Sequence, residues 1–275
     1  MGGHDHTETP CPGCLMPCPS VFPEGLCSAP WATAPAVAAM IAGLLVAAFA
    51  RGYSGFGFSA LLVASWSLVA PPSLPVAVAV LLEVSASLLQ ATSVWRHVDW
   101  RRIGLWLAGA LIGTPFGVAV ITLASPGLLR VLIAALLLAC CFALLAGYTV
   151  KRQASAAGEL AVGGVSGLVN GATAMGGLPV ALFLAAIAIK PATMRASFVA
   201  YFFALDIIAG SLLAREGVLG MEAVVTAVLS LPLLALGLWL GGRHFLGASP
   251  AQFRRHTLFL LIVLATLGLA KAALG

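Results

Sequence analysis

The sequence predicts an all-α polytopic membrane protein with two inverted repeats, each a glycine-broken, re-entrant-like helix pair plus three transmembrane helices. Composition is the first reason: 61% of the residues are hydrophobic, 8% are charged, and the mean hydropathy is +1.07. Such a chain requires lipid as its solvent. Apolar stretches of helix length run almost continuously over residues 34–274, without the alternating ten-residue strands of a barrel. Two glycine-rich breaks interrupt these stretches.

Residues 1–33 form a hydrophilic leader rich in Cys, His and Pro, predicted to be extracytoplasmic. Its cysteines and histidines could bind a soft metal or form disulfides, but their spacing fits no closed zinc module. No metal site is therefore assigned, and an unstructured or disulfide-linked tail is the default. The leader also lacks a basic segment before an apolar core, as a cleavable signal peptide would have. The residues concerned are His4, His6, Cys11, Cys14, Cys18 and Cys27.

The first break is Arg51-Gly-Tyr-Ser-Gly-Phe-Gly-Phe58, between apolar arms at residues 34–50 and 58–70. Glycine disfavours helix and accepts positive φ. Unwound backbone is tolerated at bilayer depth only where protein buries it or where it lines a watery cavity, as in transporter substrate sites. The arm lengths allow either a hairpin with its tip at 51–57 or two full spans.

The second break is Asn170-Gly-Ala-Thr-Ala-Met-Gly-Gly-Leu-Pro179. Its predicted arms, residues 159–169 and 178–189, reach only about 16 to 18 Å at 1.5 Å per residue. The hydrocarbon core is about 30 Å thick. These arms predict a re-entrant hairpin whose tip, residues 170–177, lies near the bilayer midplane.

The other spans follow from the remaining apolar segments. Residues 74–94 and 103–123 form two helices, and the second carries a ridge of glycines at every fourth position that permits close helix packing. A third span opens at Ser125-Pro126 and runs to residue 150. A cytoplasmic linker at 151–158 then separates the first repeat, 34–150, from the second, 159–275. The ridge is Gly109, Gly113 and Gly117, and the third span contains Cys140 and Cys141, expected as small core residues.

The second half repeats the first at an offset near 120 residues, as Gly57 matches Gly177 and Gly117 matches Gly237. Each half crosses the membrane an odd number of times, so the halves have opposite orientations, as in many secondary transporters. With the leader outside, ten loop Lys and Arg residues lie at cytoplasmic ends and three lie outside. Both termini are therefore predicted to be extracytoplasmic.

The two breaks together predict a binding site for a small anion. Helices that begin near Phe58 and Leu178 would aim their positive N-terminal ends at the midplane, and Arg51 would add a full charge. Alternatively, Arg51 snorkels to the headgroups, and the hydroxyl groups bond to their own helices. The predicted substrate-binding residues are Arg51, Gly52, Tyr53, Ser54, Gly55, Gly57, Asn170, Gly171, Thr173, Gly176 and Gly177.

Glu83 and Asp206 are the only acids in the middle of membrane segments. They lie 123 residues apart, one helical turn from strict repeat equivalence, so both are expected to face the same interior. Three roles stay open for them: proton coupling, a charge pair with Arg51, or a permanently neutral structural acid. Arg195, near the start of its span, is expected to snorkel.

These motifs in this order resemble the TauE/SafE sulfite exporter family, also called the 4-toluene sulfonate uptake permeases. The first break resembles the family's first glycine signature, Gly176-Gly-Leu-Pro179 resembles the second, and Val98-Asp-Trp-Arg101 resembles the loop after the third hydrophobic segment. The resemblance covers about residues 34–274 and implies transport of sulfite, sulfonates or sulfoacetate across the bacterial inner membrane. Many members carry Gly-Gly-Gly and a proline where this chain has Gly55-Phe-Gly57 and Ser59, so the substrate stays open.

Parts of the sequence also fit two other function classes. Gly52-Tyr-Ser-Gly55 also fits the Gly-x-Ser-Gly of intramembrane serine proteases, but no histidine lies within a span to act as the base. A metal-handling permease that uses the leader is the second alternative. We expect no enzyme activity, no cofactor and no nucleic-acid partner. No ATP-binding motif is present, so the energy must come from an ion gradient, the substrate gradient or a partner. The expected partners are the lipid bilayer and a small anion, and protons are one candidate for the coupling ion.

Overall fold

A computed structural model describes residues 33–94, 97–145, 155–186 and 191–244, together with positions 262 and 266. The Cys/His leader and the predicted last span of the second half lie outside these ranges. Within them the secondary structure is entirely helical, as predicted. The helices are α1 Ala34–Ser54, α2 Phe58–Trp66, α3 Ser73–Val94, α4 Trp100–Leu123, α5 Pro126–Leu145, α6 Ala156–Thr173, α7 Gly177–Ala186, α8 Pro191–Arg215 and α9 Met221–His244.

Six of these helices, α1, α3, α4, α5, α8 and α9, are long and apolar enough to cross a membrane. Many of their large apolar side chains point outward, including Ile112, Phe116 and Leu123, which are 69%, 63% and 85% exposed. Outward apolar surface of this kind is stable only against lipid. The chain is therefore a multi-pass helical membrane protein.

The two breaks are shorter than the sequence predicted. Arg51 to Ser54 are the last residues of α1, and only residues 55–57 leave the helix before α2 begins. Likewise Asn170 to Thr173 complete α6, which begins at residue 156 and has 18 residues rather than the predicted eleven. Each break thus joins a long helix to a short one, since α2 has 9 residues and α7 has 10.

Glycines remain helical near the breaks because another helix lies directly against them. A Cβ added at Gly52 would collide with the backbone of Leu238 on α9, and one at Gly171 would lie 2.5 Å from the carbonyl oxygen of Thr114 on α4. The close helix contact therefore requires glycine at these two positions and offsets its low helix propensity.

Two helix–helix interfaces with close backbone contact, called seams below, connect the first part of the chain to the second. The predicted ridge of Gly109, Gly113 and Gly117 on α4 packs on the backbone of α6, and α6 presents Gly163 and Gly167 in return. The second seam joins α1 to α9. Between the seams, α3 packs on α8, while α3 also contacts α9 and α4 also contacts α8. If α1, α2, α3 and α4 are matched in order with α6, α7, α8 and α9, the α1–α9 contact corresponds to α4–α6, and α3–α9 corresponds to α4–α8. The α3–α8 contact corresponds to itself.

The core lies between the seams. Helix α2 is buried along nearly its whole length, and α3 is buried through residues 76–80 and again at Leu82, Glu83 and Ala86. Cys140 and Cys141 are buried free thiols on α5, as the sequence predicted. The breaks at 55–57 and 174–176 meet inside this core.

Candidate functional site

A small cavity lies where the two breaks meet, with a volume of about 10 Å³ that fits one water molecule. The first turns of α2 and α7 reach it, together with parts of α3, α6 and α8. Predicted site residues form about half of its wall. The lining residues are Phe56, Gly57, Ser59, Ala60, Glu83, Asn170, Ala174, Met175, Gly177, Leu178, Phe202 and Asp206.

Arg51 is fully buried beside this cavity, so it does not snorkel. Its guanidinium donates to the carbonyl oxygen of Gly55 and to Ser87 Oγ at 3.0 Å. One of its nitrogens lies 3.2 Å from Glu83 Oε2, and the guanidinium carbon lies 5.1 Å from the centre of the Phe202 ring. A charge at this depth is therefore held by an ion pair, two hydrogen bonds and a cation–π contact.

Glu83 and Asp206 both line the cavity, as the sequence predicted, but their partners differ. Glu83 pairs with Arg51 and accepts a hydrogen bond from Ser59 Oγ at 2.8 Å. Asp206 Oδ1 accepts from the neutral Asn170 Nδ2 at 2.7 Å. The site therefore contains one arginine and two carboxyl groups. Glu83 forms the ion pair with Arg51, and Asp206 binds Asn170 instead.

The second break is held by a network of neutral polar groups. Asn170 Oδ1 accepts from the backbone N–H of Gly176 at 3.1 Å. The carbonyl oxygen of Gly176 accepts from Ser166 Oγ at 2.6 Å, and Tyr201 donates to Ser166 at 2.9 Å. Because the amide of Asn170 bonds to both Gly176 and Asp206, it fixes the acid relative to the break.

The backbone explains the glycines of the first break. Gly55 caps the end of α1 with φ 80°, and Gly57 precedes α2 with φ 88°. Both values lie in the left-handed region that favours glycine. Gly177 begins α7 and packs on the Phe202 ring. Of the three, Gly57 and Gly177 line the cavity.

Other predicted site residues have structural contacts instead. Gly52 and Gly171 lie in the helix seams, and Tyr53 is buried outside the cavity lining. Thr173 donates to the carbonyl oxygen of Val169 at 2.8 Å and accepts from the N–H of Met175 at 3.3 Å, so it caps its own helix. The side chain of Ser54 lies outside the described part of the structure.

Sequence reasoning missed several residues that contact the site. Ser87 lies one turn after Glu83 on α3, and this i to i+4 spacing on one face is the signal that could have identified it. Ser59 bonds to Glu83, and Phe202 covers Arg51. Arg195 was expected to snorkel, but its guanidinium donates to the carbonyl oxygen of Gly52 at 3.0 Å. A second arginine therefore supports the end of α1.

A separate ionic cluster connects α4 to α6 away from the cavity. Arg102 Nε lies 2.9 Å from Glu159 Oε1, and the Trp106 indole donates to Glu159 Oε2 at 2.5 Å. Asp99 caps α4 by accepting from the N–H of Arg102 at 3.2 Å, and its own N–H donates to Ser197 on α8 at 3.2 Å. These contacts strengthen the seam between α4 and α6.

The cavity combines features that suit an anion. The positive N-terminal ends of α2 and α7 meet there, and Arg51 lies next to them. In the described conformation the carboxylate of Glu83 is the oxyanion paired with Arg51. The space left over holds about one water, so this conformation is closed to a larger ligand.

Comparison with known proteins gives one match. The family model described as Sulfite exporter TauE/SafE matches residues 39–267, which include both breaks and both cavity acids. No curated protein and no solved structure shows significant similarity to this chain.

Proposed function

Since the chain belongs to the sulfite exporter TauE/SafE family, we propose that it is a secondary transporter for a small sulfur-containing anion of the sulfite, sulfonate or sulfoacetate class. The observation that carries the site assignment is the buried Arg51 at the meeting point of two broken helices. Family membership also supports transport over the serine-protease alternative. We place the protein in the bacterial inner membrane.

In this proposal the anion replaces Glu83 as the partner of Arg51. The carboxylate already occupies one side of the guanidinium at 3.2 Å, and the cavity is too small for both groups. An ionised Glu83 left without Arg51 would be a buried unpaired charge, which is strongly unfavourable. Anion entry is therefore favoured when Glu83 takes up a proton, with Ser59 keeping a hydrogen bond to it.

Asp206 is the second proton site in the proposal. With Arg51 charged and Glu83 ionised, those two charges cancel, and an ionised Asp206 would leave a buried net negative charge. Its hydrogen bond from Asn170 is satisfied in either protonation state, because Asn170 donates to Oδ1. Asp206 therefore stays protonated while the cavity is closed and releases its proton when water reaches it.

The two halves supply the alternation. We propose that residues 34–150 and 159–275 are inverted repeats, with a cytoplasmic linker at 151–158 and both termini outside. The exchangeable contacts α1–α9 and α4–α6, with α3–α8 between them, support this symmetry. Rocking of one repeat-derived unit against the other would open the cavity to each side in turn.

The test is thermal stabilisation of the purified protein by sulfite, thiosulfate, sulfoacetate, taurine, acetate, phosphate and zinc. A ligand selective for the folded state raises the melting temperature by mass action. We expect a sulfur oxyanion to stabilise the protein and the Arg51→Ala variant to lose this response. Arg130→Ala is the matched control, because Arg130 is a partly buried arginine that donates to the carbonyl oxygen of Ser67, away from the cavity.

Each outcome addresses a separate part of the proposal. Equal stabilisation by phosphate and acetate would remove the sulfur-anion class but keep an anion site. An unchanged response in a folded Arg51→Ala protein would remove the site. Stabilisation by zinc alone would favour a metal-handling permease that uses the leader.

A further inference from the structure

A second and larger cavity lies between α3, α4 and α8, with a volume of about 270 Å³. Its lining includes three small side chains, Ala91, Ala200 and Ala204. Its inner end is Ser87 and its outer end is Trp100, which is 51% exposed. Apart from the Ser87 hydroxyl the lining is almost wholly apolar.

Water is a poor occupant for this groove. A buried water needs two to four polar partners. The polar side-chain groups of the lining are the Ser87 hydroxyl, which already binds Arg51, and the Trp100 indole N–H at the opposite end. On α4 the lining runs from Trp100 to Leu107, a length of about 10 Å at 1.5 Å per residue. A narrow apolar groove of this length beside lipid-facing helices fits part of an acyl chain.

An exposed arginine lies at the outer end of the groove. Tryptophan is typical of the headgroup level of a bilayer, so Trp100 places this end at the interface. Arg101 follows it directly and is exposed, and His97 is also exposed. Among the described residues at this end, Arg102 is held by Glu159 and Asp99, which leaves Arg101 as the exposed arginine. Basic sites between spans at this level favour anionic headgroups.

We propose that this groove binds an anionic phospholipid, with an acyl chain between α3, α4 and α8 and the phosphate group at Arg101. The chain end reaches Ser87, the hydrogen-bond partner of Arg51. A bound lipid would thus fill the space between the two central helices, α3 and α8, next to the transport site. The inference does not depend on which anion is transported.

The test uses delipidated full-length protein in a neutral detergent, with binding measured by native mass spectrometry. Phosphatidylglycerol and phosphatidylcholine with identical acyl chains are the two probes. We expect the wild-type protein to bind phosphatidylglycerol more tightly. Arg101→Gln should lower phosphatidylglycerol affinity about fivefold, as expected for one basic residue near the surface. It should leave phosphatidylcholine affinity unchanged.

Ala204→Phe fills the groove and should reduce binding of both lipids. Arg215→Gln, at an exposed arginine on the last turn of α8, and Val228→Phe, at an exposed position on α9, are the matched controls. If Ala204→Phe does not fold, Arg101→Gln decides alone, since it alters only the exposed surface. Equal loss in Arg101→Gln and Arg215→Gln would overturn the headgroup site.

Two further outcomes would overturn the lipid assignment. One is unchanged lipid binding in a folded Ala204→Phe protein. The other is displacement of the lipid by octyl sulfonate at concentrations below those at which it forms micelles, which would make the groove an entry route for amphiphilic substrates. Failure of sulfite to stabilise the protein would leave the lipid result unaffected, so the two proposals fail separately.

Discussion

The two helix breaks have the same backbone and different charges. Gly55 and Ala174 each cap a long helix in the left-handed region, with φ 80° and 58°. Each donates its N–H to the residue four positions earlier, Arg51 at 2.8 Å and Asn170 at 2.7 Å. The side chains of these two residues then each contact a residue 36 positions further along, Ser87 and Asp206.

The difference between the breaks lies in which group carries the charge. At the first break the long-helix residue is a cation that pairs with Glu83, and at the second it is a neutral amide that binds an acid. The same backbone geometry places Arg51 and Asn170 near the cavity, and the two side chains differ in charge. In our proposal, the first break supplies the anion site together with Glu83, and the second supplies Asp206 as a further proton site.

The largest expected effect separates the two acids. Glu83→Gln leaves Arg51 buried without its counter-charge, which should lower stability by about 3 to 5 kcal/mol. Asp206→Asn keeps an oxygen for the Asn170 bond, so its effect should stay within about 1 kcal/mol, the net value of one hydrogen bond. Melting temperatures of the two variants at one pH would measure this difference.

Transport assays in proteoliposomes sharpen the same comparison. Asp206→Asn should weaken the pH dependence of anion flux while the protein remains folded, and the part that depends on Glu83 should remain. Equal destabilisation by both substitutions would contradict the assignment of the Arg51 pair to Glu83 alone. An unchanged pH profile in Asp206→Asn would remove the proton role of the second break.

The next prediction tests whether the two long helices are held in the same way. Gly52→Ala and Gly171→Ala each place a methyl group against the backbone of a helix from the other half. Both should lower stability by about 1 to 3 kcal/mol, the usual cost of overpacking. Gly104→Ala is the control on α4, where an added Cβ meets nothing within 4 Å. A loss for only one seam would show that the halves are not packed equivalently.

The sequence was sufficient for the general features of this site. Low charge and continuous apolar segments require membrane helices, and glycine clusters within them require a buried or cavity-lining break. A lone arginine and two acids at that depth need partners, so Arg51, Glu83 and Asp206 could be identified before any geometry was known. The cavity lining includes both acids, with Arg51 paired to Glu83 beside it.

The sequence predicts one register between the two breaks, and their backbone geometry favours another. Matching Gly57 to Gly177 gives an offset of 120, and Glu83 then appears as the near counterpart of Asp206. The capping residues Gly55 and Ala174 instead align at 119, which makes Ser87 the counterpart of Asp206. In the sequence, Gly57 can be aligned with either Gly176 or Gly177. The backbone φ angles and hydrogen bonds decide between the two alignments.

Helix ends near the breaks were also misjudged. Propensity alone predicts that Gly52 and Gly171 end their helices. Tertiary packing reverses this preference, because the missing side chain lets α9 and α4 approach closely. The local sequence does not distinguish a glycine that ends a helix from a helical glycine that packs against another helix.

A smaller effect should distinguish the capping residues. Gly55→Ala forces a side chain into the left-handed region at a cost of about 1 to 2 kcal/mol. Its Cβ would also lie 2.7 Å from Arg195 Cγ. Ala174→Gly relieves the same strain but adds freedom to the unfolded chain, worth about 0.4 to 1 kcal/mol. Its net effect should be a stabilisation below about 1 kcal/mol, and thermal melts of both variants would test the opposite signs.

Phe202 connects the two breaks by lying over Arg51 and packing on Gly177. Phe202→Leu removes the cation–π contact and should cost about 0.5 to 2 kcal/mol. Phe198→Leu removes a ring of the same size that stacks on Phe202 at 5.5 Å, so it is the matched control. Anion affinity should fall in Phe202→Leu beyond the change in Phe198→Leu, because the cation–π contact to the guanidinium is made by the Phe202 ring. Equal changes in the two variants would mean that Phe202 acts through aromatic packing and that the two breaks bind Arg51 independently of it.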